Sequence, residues 1–118
     1  MVLYSTGASY SRGEPIARVG RYQGSSTEYQ TVVSWTVSEG KSGMLKEVSM
    51  ITSDYDHTHF RLTIAGKTQF EDRLIQGPLT LPFPENHLEA GSVVLLECKR
   101  TEPGANITVD GSITGKEF

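Results

Sequence analysis

The chain has 118 residues, 36% of them hydrophobic and 21% charged, with a formal net charge of −3. That length suits one domain, and such a domain buries roughly two thirds of its unfolded surface, so it can fold without disulfides or metal. The composition excludes a basic surface built for nucleic acid, and the longest apolar run, Val93 to Leu96, excludes a membrane-spanning helix.

Residues 1–28 are rich in Gly, Ser, Thr, Arg and Tyr and poor in aliphatics. Neither a helical nor an alternating period runs through them, so they are predicted to form an extended N-terminal arm, with at most a short strand at "PIARVGRY". Such an arm either frays or orders on a partner. In the second case its anchors are Tyr4, Tyr10, Arg12, Arg18, Arg21 and Tyr22, because Tyr and Arg are enriched at binding hot spots.

Residues 29–118 read as one domain of strand after strand. "YQTVVSWTV" alternates, with Val33, Trp35 and Val37 on one face; that company makes Trp35 a core residue. "MLKEVSMITS" reads as a strand with a bulge, since Gly43 and a β-branched ending outweigh a helical stripe. "HFRLTIAG" alternates cleanly, with His59, Arg61 and Thr63 outward. The prolines at 78, 82 and 84 restrict "GPLTLPFPENHLEAG" to edge or extended geometry, and "NHLEAG" has room for one helical turn. "SVVLLECKR" is the most apolar strand. The single cysteine, Cys98, lies there in register with Val94 and Leu96 as a buried thiol, and it cannot form an internal disulfide. "NITVDGSITG" carries a hairpin signal at Asp110-Gly111. About six to eight short strands without a convincing helix predict an all-β antiparallel β-sandwich, jelly-roll-like.

"SDYDHTHFRLTI" holds the most concentrated chemistry. Two of the three histidines, His57 and His59, stand there beside Asp54 and Asp56. On a strand, i and i+2 share a face, so the two could share a metal with His87. The spacing resembles that of the cupins, but the glutamate of the cupin motif and its glycine lead-in are missing. The simpler reading is a polar turn before an outward strand face, with no bound metal and no cofactor. Nucleophile elbow, P-loop and dinucleotide fingerprints are absent. Glu85, Glu89 and Glu97 read as a solvated rim. No catalytic residue is assigned. No signal peptide is visible, so synthesis in a host cytoplasm is expected, and the sequon at Asn106 reads as chance.

The stretches "SGMLKEVSMITSDYDHTHFRLTIAGKTQFEDRLIQGPLTLPF" and "LEAGSVVLLECKRTEPGANITVDGSITGKEF" together resemble the small jelly-roll virion proteins of tailed bacteriophages, either head-decoration (cement) proteins or domains of spikes and fibres. The resemblance lies in strand order and in the closing strands, over about residues 40–118. It implies a non-enzymatic virion protein that assembles as a homotrimer. Its arm would grip the major capsid protein, and the closing strand would leave its edge available for packing. A second reading is a carbohydrate- or receptor-binding module of a fibre or spike. That module would take a glycan at Asp54, Tyr55, Asp56, His57, Phe83 and Asn86, with Tyr55 and Phe83 stacking on sugar rings.

Overall fold

A computed structural model describes residues 13–118. It contains eight strands and one 3-10 turn. The strands are β1 (Glu14–Gly24), β2 (Gln30–Thr36), β3 (Gly43–Thr52), β4 (Thr58–Ile64), β5 (Lys67–Arg73), β6 (Leu79–Leu88), β7 (Val93–Arg100) and β8 (Ile107–Glu117), and the turn is Tyr55–His57. They form two four-stranded sheets, β1-β8-β3-β6 and β2-β7-β4-β5. The two antiparallel sheets pack together as a β-sandwich. The pairing is nested: β1 with β8, β2 with β7, β3 with β6 and β4 with β5. The chain therefore runs like one long hairpin folded over on itself, and the β3–β8 and β4–β7 pairs close the sheets.

The period-2 pattern decides which side of each strand is buried. Phe60, Leu62 and Ile64 of β4 point inward, as do Val94, Leu96 and Cys98 of β7 and Ile107, Val109 and Ile113 of β8. Leu45, Val48 and Met50 of β3 meet them from the first sheet. Each such side chain stabilises the fold by about 1.5–3 kcal/mol on full burial. Trp35 is 1% exposed, and its indole Nε1 donates to a Glu117 carboxylate oxygen at 2.9 Å, so the buried N–H has a partner. The bulge between Thr31 and Val33 brings Val32 into the core as well.

Two glycines set how closely the sheets approach. A Cβ at Gly115 would lie 2.5 Å from the Met44 carbonyl and 2.9 Å from the Trp35 ring. A Cβ at Gly20 would lie 2.0 Å from the Val32 carbonyl, so β2 passes directly beneath β1 there. The indole fits because the facing strand omits side chains.

Several expectations need correction. The arm does not extend to residue 28. The short strand allowed at "PIARVGRY" is present and longer: Glu14–Gly24 is a full strand of the sandwich, paired with β8 at every position, and only residues 1–12 lie outside the described part. Asp110-Gly111 makes no hairpin. Gly111 sits mid-strand in β8, because a Cβ there would press on Leu96, Val32 and Val33. The closing strand is no free edge, since β8 lies between β1 and β3. "NHLEAG" carries no helical turn, because β6 continues to Leu88. Pro82 and Pro84 do lie on an edge strand.

The loops divide between the two ends. At one end, backbone bonds tie the β1–β2, β3–β4 and β7–β8 connections: Arg100 N–H to Ser26, Thr101 N–H to His57 and Ser53 N–H to Thr108. At the other end, Val37 bonds Ser92, and Ser42 exchanges two bonds with Phe118.

Candidate functional site

The polar turn sits at the first of these ends. Asp54 opens the 3-10 turn in extended conformation, and its carbonyl accepts from the Thr58 hydroxyl at 2.6 Å. The turn carries His57 back toward Asp54, with Nδ1 3.0 Å from Asp54 Oδ2. The other ring nitrogen, Nε2, faces Glu102 Oε1 at 3.4 Å. Arg100, 6% exposed, anchors this end. Its guanidinium donates to the carbonyls of Glu102 and Ala105 and lies 3.8 Å from Asp54. Both nitrogens of His57 therefore face carboxylates, so the ring acts as a bridge between two loops.

His59 looks elsewhere. It starts the outward face of β4, with Nδ1 3.9 Å from Asp72 Oδ1. The two histidines do not share a face, because the 3-10 turn breaks the strand period between them. His87 lies on β6 in the other sheet. Among the described residues no three His, Cys, Asp or Glu side chains converge as a metal site.

His59 belongs to a second cluster, on the outer face of the second sheet and centred on Tyr29. The Tyr29 hydroxyl donates to Asp72 Oδ1 at 2.6 Å and accepts from the Asp72 N–H at 2.7 Å. Asp72 has a φ of 53°, where β5 bulges away from β4. Both Arg61 and Lys99 lie over the Tyr29 ring, 4.1 and 4.6 Å from its centre. Arg61 pairs with Glu97 at 2.8 Å and reaches Glu71 at 3.8 Å; Lys99 pairs with Asp72 at 3.2 Å. Burial, and then the bond to Asp72, raise the Tyr29 pKa well above the ordinary tyrosine value. The Tyr29 and Lys99 bonds hold Asp72 below the usual carboxylate value. Tyr29 is thus a fixed phenol donor, and each cation over it already has a carboxylate partner. Chemically this is an interlocked network of ion pairs around one phenol.

The remaining predicted residues scatter. Tyr4, Tyr10 and Arg12 lie outside the described residues. Arg18, Arg21 and Tyr22 are on β1. Arg21 pairs with Asp110 at 2.7 Å. Tyr22 is half-buried, packs on the core and accepts the Ser26 N–H at its hydroxyl, so it is no free anchor. The proposed glycan set is split. Asp54, Tyr55, Asp56 and His57 follow the end of β3 at Thr52, whereas Asn86 pairs with Leu45. At about 3.3 Å per residue, that separation along β3 is roughly 20 Å. Tyr55 and Phe83 are also half-buried against the core, so they form no common stacking platform. The Tyr29 cluster escaped sequence reasoning because its members come from the β1–β2 connection, β4, β5 and β7. The outward alternation of "HFRLT" and the neighbouring "ECK" were its only local signals.

No protein-family model matches the chain, and a search of curated proteins finds no match.

Proposed function

We propose that this chain is a non-enzymatic structural protein of a tailed-phage virion, a head-decoration (cement) protein that binds and stabilises the assembled shell. The observation that carries the reading is the nested strand pairing, which supports a jelly-roll path through the sandwich. Rigid sheet faces also suit adhesion: the charges around Tyr29 are locked in pairs, so little order has to be created on binding. A protein that binds the shell and not its free subunits stabilises the shell by mass action.

The structure narrows where the grip can be tested. Removing residues 1–28 would delete β1 and its whole ladder with β8. A deletion that leaves the described sandwich whole is that of residues 1–12, which contain Tyr4, Tyr10 and Arg12. Full-length protein mixed with assembled head shells of the phage that carries it should co-sediment and raise the shell's melting temperature. A chain lacking residues 1–12 should keep its own melting temperature and lose co-sedimentation. Full-length protein that leaves the shells unbound and unstabilised would overturn the reading.

A further inference from the structure

Among the described residues the sandwich has four edge strands: β1 and β6 in the first sheet, β2 and β5 in the second. An open edge is a template for another strand, and proteins blunt such edges with bulges, prolines and charge. Three of the four are blunted here. The β6 edge carries Pro82 and Pro84 and slips register against β3. The β2 edge is bulged between Thr31 and Val33. The β5 edge shifts register twice against β4 and holds Asp72 at a φ of 53°.

β1 differs. It keeps an unbroken register with β8 over all 11 residues, and Pro15 stands only at its start. Among the described residues its backbone makes no backbone hydrogen bond other than those to β8. The sandwich supports it from beneath at Gly20, and among the described residues no strand pairs with its other side. At the centre of β1 stands Val19, an apolar side chain 83% exposed on the outer face.

We propose that β1 pairs antiparallel with β1 of a second copy of this chain, about a two-fold axis at Val19. The sequence of β1 is self-complementary in that register. Val19 opposes Val19, Ile16 opposes Tyr22, Ala17 opposes Arg21 and Arg18 opposes Gly20. An aliphatic–aromatic cross-strand pair forms twice, and each arginine faces a small residue with no like charge opposite. Side chains keep their faces only when the register moves by two. One such slide sets Arg18 against Arg18. The other sets Gly20 against Gly20 and shortens the ladder. The contact is isologous, and the two first sheets become one continuous sheet. A two-fold pair is a different assembly from the homotrimer that the phage resemblance implies. It also does not depend on shell binding: a chain that dimerises but ignores the shell would overturn the proposed function and leave this inference intact.

The test is solution mass by light scattering across micromolar concentrations, with two variants. Wild type is expected to approach twice 13.0 kDa. Val19→Lys points to solvent, so it should keep the melting temperature measured at dilutions where the wild type is monomeric, and it should weaken the dimer roughly tenfold or more. Val19→Cys should form a disulfide-linked dimer on mild oxidation, with Cys98 fully buried and unable to compete. Thr36→Cys, on β2, should not. A wild type that stays monomeric, a stable trimer, a dimer indifferent to Val19→Lys, or a dimer in which Val19→Cys does not cross-link would each overturn the proposal.

Discussion

Replacing Gly115 by alanine tests whether the spacing between the sheets is set by missing side chains. The added methyl would lie 2.5 Å from the Met44 carbonyl and 2.9–3.0 Å from two carbons of the Trp35 ring. Neither neighbour can give way easily. Met44 belongs to the β3–β8 ladder, and the indole is 1% exposed and tethered through Nε1 to Glu117. Overpacking of this kind costs about 1–3 kcal/mol. The alanine also stiffens the unfolded chain, which returns about 0.4–1 kcal/mol. The net expectation is a loss of about 1–2 kcal/mol, or roughly 4–8 °C in melting temperature for a domain of this size. Urea unfolding followed by the fluorescence of the single tryptophan reports on the very ring that is crowded. Gly77→Ala serves as the control. A Cβ there meets nothing within 4 Å and the backbone is not left-handed, so it should gain about 0.4–1 kcal/mol. Equal or greater stability of Gly115→Ala would refute the close-approach argument.

Other outcomes follow from the same contacts. The hydrogen bond from Trp35, reinforced by the Ser38 N–H, holds the Glu117 carboxyl below the usual glutamate value. A depressed folded value means the stabilisation is complete above the unfolded value and is lost as pH falls through the folded one. Glu117→Gln should therefore flatten the fall in stability on the acid side of the ordinary glutamate value, and an unchanged acid slope would exclude this role. Burial pushes the Cys98 thiol up to about 12. Its reaction with a disulfide reagent should then track global unfolding, and rapid labelling of the native protein would contradict the burial. Tyr29→Phe keeps the ring beneath Arg61 and Lys99 but removes both hydrogen bonds to Asp72. It should cost about 1–2 kcal/mol by denaturant titration, and a neutral result would mean the cluster stores little energy.

Strands β2, β4 and β7 were legible in the sequence because each has one face in the core and one outside it, and burial of alternate residues writes a period of two. β5 was not legible, and of β1 only a short strand at "PIARVGRY" was, without its place in the sandwich. In "KTQFEDR" only Phe70 is even half-buried, so no alternation is written there. The hairpin expectation at Asp110-Gly111 failed for a related reason. A glycine chosen because three side chains crowd it looks, in one dimension, the same as a glycine chosen for a turn. The Asp54–His57 contact spans three positions and lay within reach of local reasoning. The Tyr29–Asp72 bond spans 43 positions, and nothing near either residue announces the other.

The sequence by itself determined that the protein is all-β, which alternating residues form its core, and that Trp35 and Cys98 lie inside. Those properties depend on each residue's own solvent preference and on its nearest neighbours along the chain. Only the tertiary structure decided that β1 belongs to the sandwich, that β8 runs unbroken through its middle, and that the charged side chains of β4, β5 and β7 gather around Tyr29. These depend on which strands lie side by side, and strand order is a property of the whole folded chain.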